Sequence, residues 1–290
     1  MKKLISQLPE GLRVLECFER RLRVANRSEQ TIRNYIRGVR GLMEFHGCLP
    51  RELEIDQVID FLHDLQVEKQ RNWRTIKIYV AGLRWYYQHM AEDVGMASQI
   101  PYPKEKPTLP QVLSREELTL IFNSCLNKKH RVMFRLLYSS GLRRGEILRL
   151  KITDLLTKDG KCQLRINQSK GGKDRLTVLS EKVLIELREY YRSYRPKIFL
   201  FNGRLKGTPM SAGGLRHALN AAVKRAGINK EVNLHILRHC FASHALEEGI
   251  NLKTLQHLMG HSSIQTTIIY LHISDVPLIK AFSPLDSWEK

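Results

Sequence analysis

Pro101, Pro103, Pro107 and Pro110 fall within ten consecutive positions, with Lys104 and Lys106 between them. Proline lacks a backbone N–H, fixes its own φ, and pushes the preceding residue out of the helical region, so no regular element can run through this stretch. What remains is an extended, semi-rigid connector. It divides the 290 residues into two parts, each long enough to bury a core of its own given 42% hydrophobic residues. We expect a helical domain over 1–100, a linker over 101–113, a second domain over 114–274 and a separate tail over 275–290.

The two parts differ in charge. Residues 1–110 hold 18 Lys and Arg against 14 Asp and Glu, and residues 111–290 hold 30 against 15, so the net charge of +19 belongs mainly to the second part. A surplus of that size implies a polyanionic partner. The five cysteines (Cys17, Cys48, Cys125, Cys162 and Cys240) are scattered, odd in number and never paired as Cys-x-x-Cys. Neither a disulfide framework nor a zinc knuckle is indicated, and a reducing cytoplasm is expected. No apolar run approaches the roughly 20 residues of a membrane span, and no apolar core follows Met1-Lys2-Lys3 as in a signal peptide.

Before the linker, the pattern is helical. Ile32, Tyr35, Ile36, Val39, Leu42, Met43 and Phe45 recur at the 3.6-residue period, with Ser28 placed to cap the helix and Gly47 to stop it. Arg33, Arg37 and Arg40 project together from its polar face. A solvated face is the ordinary reading of such a stripe; in so basic a chain it is a candidate contact to a DNA backbone. Val58–Leu65 and Ile76–Met90 repeat the helical pattern. After the linker, Ser114-Arg115-Glu116-Glu117 spells a capping box. An apolar helix over 131–140 ends at Gly141, and Arg143 follows in the turn. Leu164-Arg165-Ile166, a Gly171-Gly172 turn and Leu176-Thr177-Val178-Leu179 read as a hairpin. Helices are expected near 181–194 and 211–226. The sum is a mainly α fold with a small antiparallel β-sheet.

The chemistry gathers late in the chain. His235-Ile236-Leu237-Arg238-His239 runs on through Gly260-His261-Ser262 to Tyr270. His235 and Arg238 are three apart and share a helix face. A phosphodiester gains negative charge as it is displaced, so fixed donors are needed where that charge develops. Guanidinium groups suit this best, since each holds two phosphate oxygens and stays charged. Arg143 and Arg238 are the candidate clamps, His235 and His261 further donors, Tyr270 a nucleophile and Lys170 a proton donor to the leaving oxygen. Glu146, one turn beyond Arg143, is placed to orient the arginines.

Gly141-Leu142-Arg143-Arg144-Gly145-Glu146, Lys170-Gly171-Gly172-Lys173-Asp174-Arg175, the His-x-x-Arg-His run, and Leu258-Met259-Gly260-His261-Ser262-Ser263 with Tyr270 nine positions past His261 together resemble the signature of the tyrosine recombinases. The likeness runs along the whole chain, strongly from about Leu113. It implies a helical, SAM-like core-binding domain followed by an α+β catalytic domain, with Arg143, Lys170, His235, Arg238, His261 and Tyr270 as the catalytic set. It also implies cleavage and rejoining of specific duplex DNA sites through a 3'-phosphotyrosyl link and a Holliday junction, with no metal, ATP or other cofactor. Four protomers would act on two sites, the tail docking on a neighbour through Val276, Leu278, Ile279, Phe282, Leu285 and Trp288. Lys173 and Arg175, beside Lys170, would contact DNA. The length matches a simple Xer-type recombinase without an added arm-binding domain, serving a mobile element or replicon resolution.

Three other readings compete with this one. The His235/His239 and His257/His261 pairs have a zinc-ligand spacing, but no His-Glu-x-x-His or carboxylate cluster accompanies them. A DNA-binding module without catalysis leaves the six-residue set unexplained. A type IB topoisomerase shares the phosphotyrosine chemistry, but the helical first half favours a recombinase. His239 and His244 are expected to pack or to orient other groups.

Overall fold

In the computed structural model, residues 5, 8–104, 110–157, 162–167, 174–205 and 207–271 are described. Lys170 and Lys173, the tip of the expected hairpin and the tail over 275–290 lie outside them. The chain forms two compact units, Met1–Pro107 and Thr108–Lys290, the division falling inside the proline-rich stretch.

The first unit is helical: α1 Pro9–Val24, α2 Glu29–His46, α3 Ile55–Gln66, α4 Trp73–His89 and α5 Val94–Gln99. The Ser28 side chain accepts from the Thr31 N–H at the start of α2, and Gly47 ends that helix in the left-handed conformation. Asn72 caps α4 in the same way. The apolar stripes of α1, α2, α3 and α4 meet in a core that includes Phe18, Leu22, Val39, Leu42, Phe61, Val80 and Leu83. Each fully buried side chain of this kind contributes roughly 1.5–3 kcal/mol. The opposite face of α2 leaves Arg33, Arg37 and Arg40 exposed.

The second unit begins with α6 Arg115–Asn123, opened by the reciprocal Ser114–Glu117 capping box. It continues through α7 Lys128–Ser140, α8 Arg144–Arg149, strands β1 Leu155–Leu156, β2 Gln163–Ile166 and β3 Arg175–Val178, and helices α9 Glu181–Tyr194, α10 Ala212–Arg225, α11 Leu234–Glu247, α12 Leu252–Met259 and α13 Gln265–Ile268. The antiparallel sheet has the order β1-β2-β3, with Leu164 opposite Thr177 and Ile166 opposite Arg175. In that register Leu164, Ile166, Arg175 and Thr177 all face inward, and Leu176 and Val178 face out. The Thr177 hydroxyl donates to the Ser140 carbonyl at 3.0 Å, tying the sheet to the end of α7.

Helix α11 is central, with Leu234, Ile236, Leu237, Arg238, Cys240, Ala242 and Leu246 buried. A helix enclosed on most sides holds its side chains at fixed depths. Beside the main core, a smaller cluster of Ala242, Leu246, Leu255, Met259 and Tyr270 joins α11, α12 and the turn after α13.

Candidate active site

Three successive carbonyls at the end of α12 organise the site. The last carbonyls of any helix lack intrahelical donors, and the helix dipole makes them partly negative. Here each takes an arginine. The Leu258 carbonyl accepts from Arg175 Nε at 2.8 Å, the Met259 carbonyl from Arg238 Nη2 at 2.6 Å, and the Gly260 carbonyl from Arg143 Nη2 at 2.7 Å. Arginines from a strand, a buried helix and a turn thus converge on one helix end.

Each is held from a second direction. Arg143 stands at the N-cap of α8, where its N–H donates to Glu146 Oε2 at 2.8 Å and its Nη1 to Oε1 at 2.9 Å. Arg238 is 1% exposed and also donates from Nη1 to the Gly141 carbonyl at 2.6 Å. Gly141 takes φ 60°, and a Cβ there would lie 2.4 Å from Phe241, so only glycine lets this carbonyl turn toward Arg238. Arg175 closes on Glu146 with Nη1 and Nη2 each 2.8 Å from a carboxylate oxygen. Arg175, expected to contact DNA, is 7% exposed and turned into the protein, because β3 pairs it with inward-facing Ile166.

Glu146 is the buried counter-charge. Burial alone would raise its pKa, but the hydrogen bonds and charge of Arg175, with those of Arg143, hold it at about 2. Burial and the adjacent Arg143 lower Arg238 to about 9, which leaves it charged at neutral pH. Three guanidinium groups against one carboxylate leave this cluster with a net positive charge, which would stabilise an anion placed beside it.

The histidines ring this centre. His261 follows Gly260, its Nδ1 2.9 Å from the buried Thr267 hydroxyl. Burial and the charges of Arg238, Arg143 and Arg175 press its pKa to about 3. His235 opens α11 on the exposed side; it is one turn from Arg238 as expected, yet at a different depth. Although one edge of the residue faces solvent, the protein packed around its ring and the charge of Arg238 lower its pKa as well. Its ring meets that of His239 edge-on at 4.5 Å between centroids.

Tyr270 is 2% exposed, its ring stacked parallel to His261 with centroids 6.4 Å apart. Its Oη lies 2.7 Å from His239 Nδ1. Burial pushes the phenol to about 12 although Arg238 and Arg143 pull it down, and burial brings His239 to about 4. His239 was expected to be a packing or orienting residue, and the structure puts it against the phenol oxygen. Its spacing of four from His235, on the same helical face, is the signal that could have found it. His244, by contrast, binds the Tyr138 hydroxyl at 3.0 Å through Nδ1. Among the described residues no group of three or more His, Cys, Asp or Glu is arranged to hold a metal ion, and no helix is long and apolar enough to cross a membrane.

Comparison with known proteins bears on a mainly α unit with a three-stranded sheet that gathers three arginines near a buried phenol. The model of the phage integrase family matches residues 111–276, and that of the phage integrase N-terminal SAM-like domain matches residues 14–94. A tyrosine recombinase of Thermosipho africanus is 33% identical, covering 91% of this chain and 96% of its own. The tyrosine recombinase XerD of Listeria innocua is 31% identical over 81% of this chain and 84% of its own. Among solved structures, the XerH site-specific recombinase bound to a palindromic difH substrate shares the fold with a TM-score of 0.71 at 23% identity, covering 91% of this chain and 82% of that one. A lambda integrase tetramer bound to a Holliday junction has a TM-score of 0.72 at 20% identity, over 93% and 79%. The chain belongs to the phage integrase family. Its activity is that of a tyrosine recombinase, breaking and rejoining DNA strands.

Proposed function

We propose that Tyr270 is the nucleophile of a site-specific recombination in which its Oη attacks the scissile phosphorus, forming a 3'-phosphotyrosyl bond as the bond to the 5'-oxygen breaks. The phenol proton leaves toward the histidines, and the 5'-oxygen takes a proton from Lys170. Arg143 and Arg238 hold the two non-bridging oxygens, and His235 and His261 add hydrogen bonds as charge grows on them. Because the phosphate ester energy is kept in the tyrosyl link, attack by a 5'-hydroxyl of the second site reverses the step and joins the strands. The observation that carries this reading is the convergence of Arg143, Arg238 and His261 on the last turn of α12, with the Tyr270 ring parallel to that of His261.

The partner is duplex DNA bearing recombination sites, contacted in part by Arg33, Arg37, Arg40 and Lys173, and the working assembly is four protomers on two sites. The tail over 275–290 would pass to a neighbouring protomer. The separate helical unit at the N-terminus supports recombination over simple relaxation by a topoisomerase. Five free cysteines support action in the cytoplasm, whether for a mobile element or for replicon resolution.

The test uses a duplex selected by the full chain from a random-sequence pool and nicked just downstream of the cleavage point, so that the short fragment bearing the 5'-hydroxyl diffuses away. The parent protein is expected to accumulate a detergent-resistant covalent complex, and Tyr270→Phe to bind the duplex without forming it. Covalent trapping by the phenylalanine variant would overturn the assignment.

A further inference from the structure

We propose that Arg175 is a positioning residue for DNA cleavage, holding Glu146 and the last turn of α12 so that Arg143 and His261 meet the scissile phosphate in one fixed geometry. The inference rests on the reading of Arg143 and His261 as phosphate contacts.

The position itself raises the question. On the inward face of β2 and β3 the neighbours of Arg175 are Ile166, Leu164 and Thr177, and the Arg175 side chain is 5% exposed. Burying a charge there is costly, and well-packed apolar replacements of buried ion pairs are often more stable than the pairs. Stability alone therefore does not account for an arginine in this place. Its contacts suggest what does.

Arg175 touches both supports of Arg143. It grips Glu146 through two 2.8 Å bonds, and Glu146 in turn fixes the backbone and the guanidinium of Arg143. It also packs close to Gly260, whose carbonyl receives Arg143. A Cβ on Gly260 would stand 2.7 Å from Arg175 Cδ and 3.0 Å from Nε, and Gly260 takes φ 62°. The Nε bond to the Leu258 carbonyl fixes the same turn two residues earlier, and His261 is the next residue along the chain. One planar fork thus spans α8, α12 and β3. A lysine could neutralise Glu146, but a single ammonium cannot reproduce two parallel bonds to the carboxylate and a third to a carbonyl.

The prediction is a separation of cleavage from binding. Displacing reacting groups by about 1 Å can cost roughly a hundredfold in rate. Full-length Arg175→Lys and Arg175→Gln are compared with the parent on the selected, nicked duplex, reading site affinity, single-turnover covalent cleavage and the thermal transition. Affinity is expected to stay within about threefold while cleavage falls by about tenfold for lysine and about a hundredfold for glutamine. In a Glu146→Gln background, Arg175→Lys should slow cleavage by less than it does alone, since part of its effect on Arg143 runs through that carboxylate and the rest through the turn at Leu258. Cleavage at the parent rate by a folded Arg175 variant would overturn the proposal. So would equal losses in binding and cleavage, or independent losses in the double variant, which mark a general packing role. Should Arg175→Gln lose its thermal transition, Arg175→Lys carries the comparison; if neither variant folds, the arginine serves stability and the proposal fails. Arg143→Ala runs alongside. If it cleaves like the parent, the reading of the site has failed; if it is inactive while Arg175→Lys cleaves normally, only the positioning role has.

Discussion

His239 Nδ1 lies 2.7 Å from the phenol oxygen of Tyr270. The phenol, pushed to about 12 by burial, is protonated at neutral pH, and His239, brought to about 4 by burial and by His235, is neutral. The imidazole in its Nε2–H form can accept the phenol proton at Nδ1. An arriving phosphate anion favours the charged form of the ring and raises its affinity for that proton. His239→Leu is expected to slow covalent cleavage roughly a hundredfold, the usual scale of a lost proton acceptor, with little change in site affinity. An unchanged single-turnover rate would mean that the proton leaves by another route.

Glu146 links the catalytic geometry to stability. Its pKa of about 2 lies below the unperturbed value of 4.5, so its contribution is complete above about pH 4.5 and is lost as pH falls through about 2. Glu146→Ala leaves the Arg175 guanidinium buried without its carboxylate and is expected to cost about 3–5 kcal/mol in urea unfolding at pH 7. The histidines act in the same direction. His261 at about 3 and His239 at about 4 both lie below the ordinary 6.5, so the unfolded chain takes up protons first and stability declines as pH drops below 6.5. A thermal transition that rises between pH 6.5 and 4.5 would contradict this sign.

The elements that local rules govern were legible in the sequence. Ser28 and Gly47 bound α2, the Ser114–Glu117 box opens α6, and Gly141 closes α7, because each is fixed by hydrogen bonds and backbone angles within a few residues. Long-range register was not. Alternation along Arg175-Leu176-Thr177-Val178 suggests that the apolar residues face in, yet Leu176 and Val178 are 41% and 40% exposed while Arg175 and Thr177 are buried. What reverses the strand is Glu146 and the Ser140 carbonyl, 29 and 37 positions away, which satisfy the guanidinium and the hydroxyl. The two-residue β1 gave no signal, being too short to show any period. The depth of Arg238 was equally hidden, since its partners lie 97 and 21 positions off.

Arg33, Arg37 and Arg40 stand exposed along one side of α2. If they meet DNA phosphates, each bound contact releases counterions, and the slope of log affinity against log salt is steeper by about 0.9 per contact. Replacing all three by alanine is expected to flatten the slope by roughly 2.7 and to weaken selected and random duplexes alike. Titrations between low and physiological salt decide the point; an unchanged slope would return the stripe to a solvated face.

The last prediction concerns the proton given to the leaving oxygen. Lys170 lies outside the described residues, and its proposed role rests on the resemblance of the Lys170-Gly171-Gly172-Lys173-Asp174-Arg175 stretch to the recombinase signature. If its ammonium protonates the 5'-oxygen, Lys170→Ala should cleave ordinary DNA slowly and recover on a substrate whose bridging 5'-oxygen is sulfur, because a thiolate leaves without a proton. Arg143 is different. It is fixed by Glu146 and the Gly260 carbonyl, and if it holds the scissile phosphate, the charge it meets must be stabilised whichever atom leaves. Arg143→Ala should therefore gain little from the sulfur substrate. Single-turnover cleavage of the two substrates by the two variants separates acid catalysis from charge stabilisation. Equal rescue of both would remove Lys170 from the reaction, and rescue of Lys173→Ala in its place would move the proton three residues along the same stretch.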